Sequence, residues 1–563
     1  MHELIQKLIA RLPLDFRVLY RQFLLRVVDL EALSIQADVT AFLGQFAGVL
    51  IMLSLVHATV TYVGYAVIAD PQARFEFLLH IEHYLIATMM LVTGLFTVLS
   101  WDATFPDRRD VMVLSPLPVA PRTILLAKIC ANVAVLGLSV LTLNVASGVM
   151  LPLIMGAQPG PALGFFQSLP AWWFTITAAT LFLYCSVLTV QGFTSLLLPR
   201  RMFLRLSAIL QLAAFGLFLG VYFVQPSLTA PDAMAAPENH WILACSPSYW
   251  FFALFNQLNG SLPSQFAWIA YRAWIGLGVV IAGAASSLLL CYIHTMKKTI
   301  EEPDLVPGGS LHWMPRFGNT LNTAIAHFSM RSLVRSRQHR VALAFYLALV
   351  LGIALSIFRD ERAAGAATTL SMSFLILTIL MMALAVAGLR NVFSLPITLN
   401  ANWVLRTTQL RPSQEYVAAT RRTLQCVAVG PVLLLSGLLG LHLRPLSHVA
   451  AHLAVLALIG ILLVELCLIG FYKVPFTCSY LPGKSNIQLA FWGSIIVLVV
   501  VIAPCAEFEM SALDQANKFG FMLSLLVGAS VALNAYNHWQ ARYAVLYYEE
   551  TPEELITTLG LSA

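Results

Sequence analysis

Three stretches of this 563-residue chain carry side chains whose types and spacing could do chemistry. In LLHIEHYLI, His80, Glu82 and His83 stand within four positions, and in LSHVAAHL, His448 and His452 lie one helical turn apart. Two imidazoles at that spacing can share a metal ion, although neither stretch has the HExxH pattern of a zinc hydrolase. Glu465 is a carboxylate inside the apolar run LAVLALIGILLVELCLIGFY. LPGKSN (481–486) ends like a phosphate-binding loop, but Cys478 occupies the place of its first glycine. GxSxG is absent, and the eight cysteines form no CxxC pair and no coherent Cys–His pairing. The residues therefore predict no catalytic constellation, no metal and no cofactor in this chain; it is not expected to be an enzyme.

The elements that must hold these residues are membrane helices. The chain is 59% hydrophobic and 11% charged, where ordinary globular proteins carry about a quarter charged residues. Apolar runs of about 20 residues recur throughout, each long enough to cross a hydrocarbon core. Twelve spans are expected, at 40–64, 80–101, 124–155, 171–198, 203–225, 268–294, 341–358, 371–393, 420–443, 448–472, 488–506 and 518–538. Glu465 costs its span roughly 3 kcal/mol, which a dozen Leu, Ile and Val at about −0.4 kcal/mol each offset. It could face a cavity and touch substrate, or pair with an interior group such as Arg390.

Loop charge orients the spans. With both termini cytoplasmic, all but six of the 33 Lys and Arg fall inside, the exceptions being Arg74, Arg272, Arg359, Arg362, Arg444 and Lys518. Acidic residues such as Asp232, Glu238, Glu507 and Glu509 then fall outside. Cys245 and Cys505 lie in or beside outer loops, where a disulfide is allowed. The net charge of +6 is scattered over loops and does not predict nucleic-acid binding. Before the first span, Phe16, Leu19, Phe23, Val27 and Leu30 recur at helical spacing among Arg17, Arg21 and Arg26. That pattern predicts a helix lying in the inner interface, its arginines toward lipid headgroups. The C-terminal YYEETPEELITTLGL predicts a capped cytoplasmic helix.

The chain also matches itself. With Gly94 set against Gly388, GLFTVLS (94–100) meets GLRNVFS (388–394) and Pro118 meets Pro412. The expected architecture is an all-α polytopic membrane protein of two parallel six-helix repeats with amphipathic cytoplasmic interface helices. Its parts are an N-terminal interface segment (1–38), a first half (39–294), a linker (295–340) that ends in a second basic helix, HFSMRSLVRSRQHR (327–340), a second half (341–538) and a tail (539–563). Between the second and third spans lies TFPDRRDVMVLSPLPVAPRTILLAKI (104–129), whose counterpart is LRPSQEYVAATRR (410–422). Pro116, Pro118 and Pro121 forbid a continuous helix there, so the chain must turn and restart near Pro121. Asp107, Arg108, Arg109 and Asp110 would then be displayed on the turn.

These residues resemble the cytoplasmic loop of ABC-2-type permeases, the membrane subunits of type V ABC exporters. The interface helix before the first span and SPSYWFFALFNQLNG (246–260), similar to the short outer helices of that family, extend the resemblance over the first half; the second half matches less fully. The resemblance implies alternating access driven by a separate ABC-type ATPase, two copies of which would carry ATP and Mg. Its coupling residues would be Asp107, Arg108, Arg109, Asp110, Pro116, Pro118, Arg122, Lys128, Arg411, Pro412, Glu415, Arg421 and Arg422. The chain would act as a single fused permease or as a homodimer in a bacterial-type inner membrane, exporting an amphipathic or lipid-like substrate. Glu465 would lie on the substrate path. A secondary transporter of the major facilitator type also has twelve spans, and PDRRD echoes its Asp-Arg motif. The usual preceding glycine is missing, however, and only Glu465 stands out as a membrane-buried carboxylate. A membrane-embedded enzyme is the third reading.

Overall fold

The structure, a computed structural model, describes residues 13–28, 39–100, 114, 117–156, 164–225, 228–301, 320–336, 339–340, 370–394, 413–471, 474–477 and 501–543, with 343, 346, 350, 352 and 354. Among these, nine helices are long and apolar enough to cross a membrane, and there is no strand. This is an all-α polytopic membrane protein. The expected seventh span lies mostly outside the described residues, as do the first part of the eleventh (488–500), LPGKSN, most of the linker and the C-terminal helix. The chain divides into two compact units at Pro307 and Gly308.

In the first unit, α1 (Leu14–Val28) precedes α2 (Val39–Val67), α3 (Pro71–Leu99), α4 (Pro121–Asn144), α5 (Ser147–Gly156), α6 (Phe165–Leu197) and α7 (Arg200–Val224). After three short helical segments (Pro231–Ala235, Pro237–Asn239 and His240–Cys245) come α8 (Pro247–Leu258) and α9 (Ala267–Glu301). The Asp70 carboxylate caps α3 by accepting from the Ala73 N–H, with Pro71 at the first helical position. α6 packs against α3 and α9, and α8 wedges among all three. α8 is rich in aromatics because it is core: Tyr249, Phe251 and Phe255 are fully buried, and Phe255 meets Trp172 of α6 edge-on at 5.2 Å.

The expected third span, 124–155, is two helices. α4 ends at Asn144 and α5 restarts at Ser147, which orphans backbone donors at the break. Ser54 of α2 supplies the acceptor, its Oγ taking the N–H groups of Ala146 and Ser147 at 3.0 and 3.1 Å. Pro152, inside α5, lacks the N–H that would bond back to Gly148.

The second unit comprises α10 (Thr320–Arg335), α11 (Met372–Phe393), α12 (Ser413–Leu424), α13 (Gly430–Gly440), α14 (Leu446–Leu468), α15 (501–513) and α16 (Ala516–Tyr543). Its third span is interrupted too. A π turn, Gln425–Val429, joins α12 to α13 just before Pro431, whose ring cannot fit under the carbonyl four residues back. α14 packs against α11 and α16, as α6 packs against α3 and α9 in the first unit. The eleventh span was expected to end at 506, but its helix continues to 513, leaving Asp514 and Gln515 as the connection to α16.

The two aligned glycines make room for aromatic rings. A Cβ on Gly94 would lie 2.8 Å from the Phe218 ring, and one on Gly388 would lie 2.7 Å from the Tyr346 ring. Phe218 belongs to α7 of its unit, whereas Tyr346 belongs to the expected seventh span. The repeated glycine thus serves the same close approach to different neighbours.

Candidate functional site

In each unit an amphipathic helix beds against the start of the expected third span. α1 packs on α4 through Leu19, Phe23, Ile124, Ala127 and Ala131, while α10 packs on α12, with Ile325 against Tyr416 and Ala419. Leu114 and Val119 join the first of these clusters from either side of the proline turn. The Val119 N–H reaches back to the Leu117 carbonyl at 2.7 Å, closing a three-residue turn on Pro118, whose fixed φ suits it. As expected, the helix restarts at Pro121.

The residues proposed from the sequence for this region divide by exposure. Pro118, Arg122 and Arg422 are exposed, and Glu415 is half-buried. Lys128 is 2% exposed; α1 covers it, and its ammonium sits 5.1 Å above the centre of the Phe23 ring. Asp107, Arg108, Arg109, Asp110, Pro116, Arg411 and Pro412 lie outside the described residues.

Arg421 turns inward. Its Nε lies 2.7 Å from Glu465 Oε1, and its Nη2 donates to Oε2 at 3.2 Å. Glu465 is fully buried, and Asn534 and Asn537 of α16 donate to its Oε1 and Oε2 at 2.8 and 2.9 Å. Asn537 also donates to the Glu465 carbonyl at 2.8 Å. Glu465 is therefore paired with interior groups. Its cation is Arg421 and not Arg390, whose guanidinium stacks over Phe471 and reaches the Cys467 carbonyl. Asn534 and Asn537 were not singled out in the sequence, though two amides three apart in an apolar span mark one helix face.

A second buried group lies in the same unit. His452 of α14 is fully buried; its Nδ1 is 2.7 Å from Glu509 Oε1 of α15, and its Nε2 is 2.8 Å from Thr378 Oγ1 of α11. Glu509 was expected outside the membrane on a loop. Because α15 runs on to 513, the carboxylate instead turns inward at 1% exposure. Hydroxyl, imidazole and carboxylate in series are the parts of an activated nucleophile. Thr378 Oγ1, however, also lies 2.9 Å from the Phe374 and Leu375 carbonyls and has no exposed surface. The chain of groups ties three helices together. His448 does not share a ligand with His452; it faces Asp514 at 3.9 Å.

The first unit's histidine cluster is likewise spent on packing. His80 Nδ1 meets Thr229 Oγ1 at 2.6 Å, and His83 Nε2 meets Ser248 Oγ at 3.1 Å with its ring stacked 4.1 Å from that of Tyr249. Asn256 donates to Glu82 Oε2 at 3.0 Å. These three residues of α3 hold the segment that returns from α7 through α8. Glu82 is 1% exposed, so three carboxylates, Glu82, Glu465 and Glu509, are buried among spans where the sequence singled out one. Cys245 and Cys505 are both free thiols, and no group of three or more potential ligands is arranged around a metal position among the described residues. The chain matches no family model, and no curated protein or solved structure matches it.

Proposed function

We propose that this chain is the transmembrane permease of an ATP-driven ABC exporter, with two fused six-helix halves and a separate ATPase subunit. The observation that carries the reading is the pair of similar bases: in each unit a basic amphipathic helix is bedded against the helix that opens the expected third span, α1 on α4 beside the turn at Pro118 and α10 on α12. Force applied to such a turn has a rigid element to act on. The exposed Arg122 and Arg422, with Asp107 to Asp110 and Arg411, are the docking edge under this reading, while Lys128 and Arg421 hold the bases together from within. Both termini and both bases face the cytoplasm, and the exported molecule is amphipathic or lipid-like.

One observation favours a second reading. Three buried carboxylates are more than a purely ATP-driven permease needs, and ion-coupled carriers commonly hold several. One experiment separates the two. The tagged chain is purified from its native membranes in mild detergent, alongside Arg108→Glu/Arg109→Glu. Co-purification of a Walker-motif subunit, abolished by the charge reversal, is the expected result. A chain that carries no ATPase, yet performs proton-driven transport alone in liposomes, establishes the secondary transporter instead.

A further inference from the structure

Arg421 stands in the last turn of α12, which opens the third span of the second unit, while Glu465 belongs to α14 and its two amide partners to α16. The three helices pack on one another, and all three meet at this carboxylate. Each Glu465 oxygen faces two partners, Oε1 Arg421 and Asn534, Oε2 Arg421 and Asn537. A carboxylate with that many donors has little acceptor capacity left for a passing substrate. Separating the pair would leave a charge stranded in an apolar interior, so the helices that carry it are held to move together.

We infer that Glu465 is a joint: a displacement of α12 is carried through Arg421 to the fourth and sixth spans of the second unit. Only the source of that force rests on the exporter reading; the joint is a property of the fold.

Amide exchange on the full chain in lipid nanodiscs tests it. Arg421→Gln is expected to speed exchange about tenfold in 413–424 and, with it, in 530–543, the factor for losing roughly one buried polar contact. Arg421→Lys keeps the charge but not the two-pronged geometry and gives the same pattern at smaller amplitude, which covers failure of the first variant to fold. Faster exchange confined to 413–424 overturns the joint. That measurement does not depend on an ATPase, so a joint that holds in a chain binding no such subunit survives the failure of the exporter reading.

Discussion

At Glu465 a full charge sits where hydrocarbon-like surroundings make any unpaired ion costly, and four side-chain contacts from two helices meet it. Removing one partner strands the other. Glu465→Leu is expected to destabilise the second unit by about 3–5 kcal/mol, because Arg421, at 15% exposure, keeps its charge with no counterion. Replacing both residues by Met recovers most of that loss, since apolar groups of similar volume need no desolvation to be overcome. Equilibrium unfolding of Glu465→Leu, Glu465→Met, Arg421→Met and the double Met variant in detergent measures the difference. Thr378→Val is milder. It leaves one His452 nitrogen without its hydroxyl and costs about 1–3 kcal/mol in the same assay.

Elements in this fold are shaped by where their backbone donors go. The break between α4 and α5 exists because Ser54, on a different helix, accepts the N–H groups of Ala146 and Ser147. Ser54→Ala removes that acceptor and is expected to cost about 1–3 kcal/mol, read as faster amide exchange confined to 144–150. A second consequence concerns the aligned glycines. Gly388→Ala drives a methyl to within 2.7 Å of the Tyr346 ring, an overpacking expected to cost about 1–3 kcal/mol. Trimming the ring with Tyr346→Leu should return part of that, seen as a recovered melting temperature; no recovery would mean that the ring is not what the glycine accommodates.

On the scale of the whole molecule, the division at Pro307 and Gly308 predicts two units with separate cores, one centred on Trp172 and α8 and the other on Phe374, Met382 and Phe393. Residues 1–307 and 308–563, expressed apart, are each expected to insert and to retain native helicity by circular dichroism in detergent. A half that is helical only when co-expressed with the other would show the cores to be interdependent. Among the described residues the two units pack alike, with an amphipathic helix on α4 or α12 and with α6 between α3 and α9 as α14 lies between α11 and α16. They differ before the last of these helices, where the first unit folds 231–258 into helices and the second turns within two residues.

The sequence by itself determined the helical membrane class, because apolar length is a one-dimensional property. It also determined the restart at Pro121 and the amphipathic helix α1, because proline geometry and 3.6-residue periodicity are local. The self-match around Gly94 and Gly388 was visible in the same way. Only the tertiary structure decided which groups meet. Arg421 read as a loop charge until α12 was placed beside α14 and α16, and Glu509 read as an outer loop residue until α15 proved one turn and more longer. His448 and His452 shared a helix face, yet Asp514 and Glu509 on other elements drew them to separate partners. Pairing of buried charges depends on which helices lie side by side, and that is set by packing between segments far apart in the chain.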